Sequence, residues 1–384
     1  MEVWDLNLRH LQAVVEVVRL GTLNAAAKRV NLTQPAITQA LGRLEGQLGA
    51  ALFERQHTGM TATPAAEVLT PRIEAALAHI ASPHVTMARL RALLLLSQSG
   101  SYAAASAASG LSQPSVHRAV SDLALSMRKT LVVRRGKTVL LTDAGLQLVR
   151  AFKLAVVELE VGLSEIDALR GVETRRLRIG AMPLSRAKVL PSVVTAFMRR
   201  HPEVKISVIE GSRAELIEPL RAGALDFMVG ALRQPLLEND LVQRTLFADR
   251  PMVIGRRGHP LAGKKPKPRH LARFSWTLAA PDTPLRQSWE RFFWDAGVDL
   301  PPVPVESGSV MMIRQILMET DFLTLLSPEQ FAPELEAGWL QPITELPSKF
   351  ERTIGMTIRA TWRPTRVQQE FIDMLEAAAR AIEG

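Results

Sequence analysis

The sequence predicts an α+β chain in three parts: two small, mainly helical units in series, one long helix, and an α/β domain of two lobes. Three observations carry this. An N-terminal segment repeats without a gap at an offset of 79 residues. A stretch without proline runs from Thr142 to Gly171, long enough for about seven helical turns. From Leu177 onward, short apolar runs alternate with amphipathic stretches, as in βαβ units.

A length of 384 residues exceeds what one core usually holds. With 47% hydrophobic and 22% charged residues and no low-complexity tract, the chain can bury large cores. The longest apolar runs, such as Leu93 to Leu96, are too short to cross a bilayer, so no membrane partner is expected. The opening residues, with Glu2 and Asp5, lack a basic stretch followed by an apolar one, and there is no cysteine. Cytoplasm is the expected compartment.

In the repeat, Gly21-Thr22 matches Gly100-Ser101, Leu32-Thr33-Gln34-Pro35 matches Leu111-Ser112-Gln113-Pro114, and Thr63-Pro64-Ala65 matches Thr142-Asp143-Ala144. Each copy reads as an apolar-periodic helix, a short alanine-rich helix, a tight turn, another helix and a small hairpin, which is a winged helix-turn-helix. Thr33 and Ser112 are placed to cap the third helix, with Pro35 and Pro114 in its first turn, where a missing N–H costs nothing. Ala25, Ala26, Ala104 and Ala105 leave room for two helices to cross closely.

The segments LQAVVEV, GTLNAAAKRVNLTQPAITQALGRLE and LGAALFER, with the turn at Thr63, resemble the N-terminal domain of LysR-type transcriptional regulators. The resemblance implies that Gln34, Thr38, Gln39 and Arg43 face double-stranded DNA in the first copy, with Arg55 on its wing. Gln113, His117, Arg118 and Asp122 hold the matching places in the second. Amides and Arg suit base edges, while a wing supplies phosphate or minor-groove contacts. A family member ordinarily carries one such unit, so the tandem is a departure.

The two copies differ in charge. Residues 1–79 hold seven Lys/Arg and seven Asp/Glu, whereas residues 80–158 hold ten against three. Arg134, Arg135 and Lys137 sit at the tip of the second wing, with Arg128 and Lys129 just before it. Gly42 and Gly46 weaken the first copy's recognition helix by about 1 kcal/mol each relative to Ala. Counterion release supplies much of DNA affinity, so the second copy is expected to be the main anchor. The first copy then extends the site or mediates assembly.

Beyond Thr142, the residues Val149, Phe152, Val156, Leu159, Leu163 and Ile166 recur at alternating spacings of three and four, a heptad seam. Packing on its own domain would satisfy such a helix. The resemblance implies instead a linker helix that joins two chains, with dimers able to pair into tetramers and RNA polymerase as a further partner. The expected parts are residues 1–81, 82–142, 143–171 and 172–384.

LRIGAMPLSRAKVLP, EGSRAELIEPLRAGALDFMVG and VESGSVMMIRQILMETDFLTLLSP resemble the family's effector-binding domain, itself similar to periplasmic binding proteins. In such folds, small molecules sit between the lobes at strand carboxyl ends and helix N-termini. Ser185, Ser212, Arg213, Thr283, Arg286, Ser307, Ser309 and Ser327 occupy those ends. Each single Ser or Thr is equally well read as a helix cap. Taken singly, Arg186, Arg213 and Arg286 read better as solvated or structural, and as a group they suggest a carboxylate-bearing effector.

No phosphate-binding loop, nucleophile elbow or H-E-x-x-H pair is present, and the eight histidines show no i, i+4 ligand spacing. Neither catalysis nor a metal or other cofactor is expected. The leading reading is a ligand-gated regulator. An effector-independent DNA-binding architectural protein and, further behind, a cleft enzyme are the alternatives.

Overall fold

The computed structural model describes the whole chain except Thr58, Lys137, residues 172–175, Arg186, Lys188, Asp282 and Gly384, and the side chains of Ile382 and Glu383. It forms two compact units, Met1–Arg175 and Arg176–Gly384.

The first unit begins with α1 (Leu8–Leu20), α2 (Leu23–Arg29) and α3 (Gln34–Leu48), followed by the hairpin of β1 (Phe53–Gln56) and β2 (Gly59–Ala62) and by α4 (Pro64–Ile80). The same series returns as α5 (Met87–Ser99), α6 (Tyr102–Ser109), α7 (Gln113–Met127), β3 (Val132–Arg135), β4 (Thr138–Leu141) and α8 (Asp143–Leu169). Local chemistry sets the starts. Asn7, Thr22, Thr33, Thr63, Thr86, Ser101, Ser112 and Thr142 each accept a backbone N–H at a helix N-terminus, worth about 1 kcal/mol apiece. Gly21 and Gly100 end α1 and α5 in the left-handed region, where a Cβ would be strained. Their carbonyls accept N–H bonds from Met60 and Val139, which seats each hairpin against its turn. Ala26 and Ala105 are fully buried at the expected crossings, but Ala104 is exposed.

One apolar core runs from Val3 to Ile166 through both helix-turn-helix units and α8. The most extensive helix pairing in the chain is α4 with α8. The seam residues Val149, Phe152, Val156, Leu159 and Ile166 are buried, in one core with Leu69, Ile73, Ala76 and Ile80 of α4. This corrects the expectation that the seam joins two chains: the stripe is covered in cis. Arg72 of α4 is buried and reaches two carboxylates of α8, Glu158 at 3.2 Å and Glu165 at 2.9 Å. A side chain at Gly162 would meet Leu69 at 2.9 Å and Arg72 at 3.1 Å, so glycine there lets the two helices approach closely.

The second unit holds two lobes. In the first, β5 (Arg176–Ala181), α9 (Val189–Arg200), β6 (Lys205–Glu210), α10 (Arg213–Arg221) and β7 (Phe227–Ala231) make parallel βαβ crossovers. The next strand, β8 (Leu241–Asp249), leads to the second lobe, made of β9 (Met252–Arg256), α11 (Pro268–Leu271), β10 (Thr277–Leu278), α12 (Pro284–Trp294), β11 (Val305–Glu306), α13 (Val310–Glu319), β12 (Thr324–Leu326), α14 (Ala332–Glu336) and β13 (Leu340–Glu345). The chain returns to the first lobe through β14 (Arg352–Arg359) and α15 (Arg366–Glu383), giving a five-stranded sheet in the order β6-β5-β7-β14-β8. Each lobe has its own core, with Phe197, Phe227 and Phe371 in the first and Trp276, Trp289 and Phe293 in the second.

His201, just beyond α9, has Nε2 3.0 Å from the Glu370 carboxylate on α15 and Nδ1 3.3 Å from Glu203. Glu370 first, then Glu203, outweigh burial and raise the imidazole above its ordinary range. A raised folded-state value means that the ion pair stabilises fully below the unfolded pKa and fades as pH climbs through the folded one. The urea midpoint of this unit should therefore fall from about pH 6 to about pH 8, and His201→Gln should flatten that slope. The change is small, because the partly wet ring and its carboxylates are screened.

Candidate nucleic-acid interface and effector cleft

Both recognition helices present their N-terminal halves to solvent. On α3, Gln34, Thr38, Gln39 and Arg43 are exposed, while Ile37, Ala40, Leu41 and Leu44 turn inward. On α7, Gln113, His117 and Arg118 are exposed, and Val116, Val120 and Leu123 are buried. The period of 3.6 residues thus separates a polar face from a core face on each helix. Gln113, Pro114, His117, Arg118 and Ser121 line a shallow groove along α7. The His117 ring lies 5.0 Å from that of Tyr102, which fixes it at the groove wall. Asp122 is turned aside by Arg89, 3.6 Å away.

The wings add the cations. Arg55 of β1 is exposed, as are Arg134 and Arg135 of β3, whose partners across the hairpin are Val139 and Thr138. Arg128 ends α7 in the left-handed region with its side chain exposed, at the position that Gly49 fills after α3. Arg118, Arg128, Arg134 and Arg135 make no salt bridge with any described residue, so their charge is available to a polyanion. Lys137 lies outside the described residues. In the first copy, Glu45 accepts the backbone N–H groups of Leu52 and Phe53 at 2.7 and 3.2 Å, bracing the wing. Ala124 stands at the matching place in the second copy, which lacks this brace. Burial first and then the charge of Arg43 lower the pKa of His10, so His10 adds no proton to this face near neutrality.

In the second unit the hydroxyls expected at the cleft serve as caps. Ser212, Thr283 and Ser309 accept N–H groups at the starts of α10, α12 and α13, and buried Ser327 accepts from Glu329. Thr283, Arg286, Ser307 and Ser309 are brought together where β10 and β11 end: Ser307 donates its N–H to Leu278, and Arg286 reaches the Ala279 carbonyl. Buried Ser185 donates to Met182 just past β5, and Ser212 follows β6. Two of the arginines have carboxylate partners within the chain. Arg213 pairs with Glu238 at 2.6 Å, and Arg286 with Glu290 and Glu306, both at 3.2 Å, over the Trp289 ring. Glu290 lies four residues on along α12, at a helical spacing, while Glu306 and Glu238 lie 20 and 25 residues away and are brought in by the fold. Arg186 lies outside the described residues.

The "Bacterial regulatory helix-turn-helix protein, lysR family" matches residues 8–67 and again 87–146, and the "LysR substrate binding domain" matches residues 170–380. This chain belongs to the LysR family of transcriptional regulators. The HTH-type transcriptional regulator GalR of Pseudomonas putida is 29% identical over 367 residues, covering 92% of each chain. The regulator CbbR of Xanthobacter flavus is 30% identical over 264 residues, 68% of this chain and 78% of that one. Among solved structures, ArgP from Mycobacterium tuberculosis gives a TM-score of 0.57 at 19% identity, covering 76% of this chain and 96% of that one. A full-length OxyR variant from Pseudomonas aeruginosa gives 0.56 at 21%, covering 78% and 96%. These two show the shared fold. The LysR-type chain is therefore a regulator with helix-turn-helix and effector-binding parts, and its matched families are not enzymes.

What the sequence did not announce is Arg72 with its two carboxylates, and Arg170, whose guanidinium donates to the Leu48 carbonyl at 3.1 Å. A lone Arg within the apolar stripe of α4 was the available signal.

Proposed function

We propose that this LysR-type regulator holds promoter DNA with α3, α7 and both wings, and that a small effector between the lobes changes how the DNA is held. The supporting observation is the exposed groove of Gln113, His117 and Arg118 on the same copy as the exposed Arg128, Arg134 and Arg135, which have no salt bridge among the described residues. Amides, imidazole and guanidinium read base edges, and wing cations grip phosphates. Lys137 joins that wing, while Gln34, Thr38, Gln39, Arg43 and Arg55 are the counterpart in the first copy.

The two copies arose by tandem duplication, a reading supported by element boundaries that recur at an offset of 79. The functional parts are residues 1–81, 82–142, 143–171 and 172–384. In the cleft, Ser185, Ser212, Thr283, Ser307, Ser309 and Ser327 line the effector's place beside the starts of α10, α12 and α13. Arg213 and Arg286 already hold carboxylates, so an acidic effector would take its stabilisation from N-terminal N–H groups and hydroxyls. Effector binding alters the angle between lobes and thereby the bend of the promoter. The regulator works in the cytoplasm, associates with itself through surfaces other than the buried seam, and meets RNA polymerase at the promoter. No helix of the described residues is long and apolar enough to cross a membrane.

Selection of duplexes from a random pool by the full chain, followed by footprinting with and without candidate carboxylic acids, tests this. A sequence-specific footprint whose length or bend changes with an acid is the expected result. A specific but effector-blind footprint favours the architectural reading, and equal retention of all duplexes defeats both.

A further inference from the structure

We infer that the two helix-turn-helix units pair with each other inside one chain, so that a single chain carries both halves of a two-fold DNA-reading head. This rests on the DNA-binding reading above. Helix-turn-helix proteins ordinarily need two chains to present two recognition helices to two half-sites. Here the surface that would join two chains is already filled.

The direction of the pairing follows from its ends. Thr63, which starts α4, bonds the Ala51 carbonyl, and Arg170, which follows α8, bonds the Leu48 carbonyl and lies against Gly49. The end of α8 therefore lies beside the start of α4, and the helices run antiparallel. The register is fixed by Leu69, which meets Gly162, and by Arg72, which sits between Glu158 and Glu165. Seven residues along α4 and seven back along α8 are about two turns on the same faces. They bring Ala76 opposite Ala155. Those two alanines are the same position in the two copies, and both are buried. Identical positions facing each other across antiparallel helices mark a two-fold axis between the units.

A second place in the fold gives the same axis. The cleft between the copies is lined by residues 5–9 and 83–89. Shifted by 79, residues 5–9 become 84–88, so the same segment of each copy faces its counterpart. These segments carry the N-caps Asn7 and Thr86, again at matching positions. Neither the helix pairing nor this cleft involves another molecule. The reading head that results is symmetric in shape and asymmetric in charge, with residues 80–158 holding the excess cations. Such a head suits a site whose two half-sites differ in sequence, one held mainly by base reading and the other also by phosphates.

The chain contains no cysteine of its own, so in Leu69→Cys with Gly162→Cys every disulfide joins the two introduced positions, within one chain or between two, and the shorter side chain at 69 removes the contact that a Cβ at 162 would meet first. Oxidised at low protein concentration, the full chain should run as a cross-linked monomer and protect its selected operator as fully as the reduced protein does. A between-chain dimer band, or DNA binding lost on oxidation and regained on reduction, overturns the inference. Should that pair not fold, unbridged chains decide. Alanine at Gln34, Thr38 and Arg43, and separately at Gln113, His117 and Arg118, should each remove protection from one half-site, with one chain per pair of half-sites by mass photometry. Two chains per pair of half-sites, or a footprint untouched by losing the α3 residues, overturns it. If the unsubstituted chain retains no duplex, the DNA-binding reading fails instead, and the position of the cross-link alone decides the pairing.

Discussion

Arg134→Ala combined with Arg135→Ala lowers affinity for the selected operator and makes its salt dependence shallower by about two units of slope in log K against log salt. Both side chains are exposed on β3, and neither has a carboxylate partner among the described residues. In the free protein they therefore lose little on meeting phosphate, and each phosphate contact releases condensed counterions. The loss should be nearly the same for specific and random duplexes, because a wing cation carries no sequence information. Arg118→Ala, on the groove of α7, should instead reduce discrimination between operator and random DNA, by about 1 to 3 kcal/mol if it reads a base. Fluorescence anisotropy at several salt concentrations separates the two. An unchanged slope after the double substitution would reverse the ranking of the copies, with the electroneutral first copy as the main anchor.

Arg72→Met should destabilise the first unit by about 3 to 5 kcal/mol, the usual cost of removing one member of a buried ion pair. The side chains of Arg72 and Glu158 are 7% and 9% exposed, so the substitution would leave Glu158 buried without its guanidinium partner. Glu165, at 23%, can relax towards water. In the intact unit, burial opposes the charged guanidinium, but Glu165 and Glu158 more than offset this and raise its pKa. Adding Glu158→Gln and Glu165→Gln to Arg72→Met should recover most of the loss, since the cost lies in the stranded carboxylate more than in the missing attraction. Urea unfolding monitored in the helical signal checks both. A single-variant loss below about 1 kcal/mol would mean that water reaches this junction.

Much of the first unit was legible in the sequence because its rules are local. A hydroxyl or amide before a helix, a glycine after one, a proline in the first turn and apolar residues at helical spacing all act within a few residues. They act alike in both copies, which is why the elements recur at one offset. The α/β alternation of the second unit was legible for the same reason. Its β8 and β13 were not, since edge strands carry a weaker alternation and take their place from neighbours far away in sequence.

Two helix-turn-helix units, a long helix with an apolar stripe, two α/β lobes and membership of a regulator family follow from the residues alone. What the stripe faces follows from the fold, because an apolar seam demands a partner without encoding whether that partner belongs to the same chain or another. Here α4 supplies it, admitted by Gly162 and tied by Arg72. The fold also gives Arg213 and Arg286 carboxylate partners and leaves Arg134 and Arg135 without one among the described residues. A charge is legible in one residue, but its partner is a property of the fold.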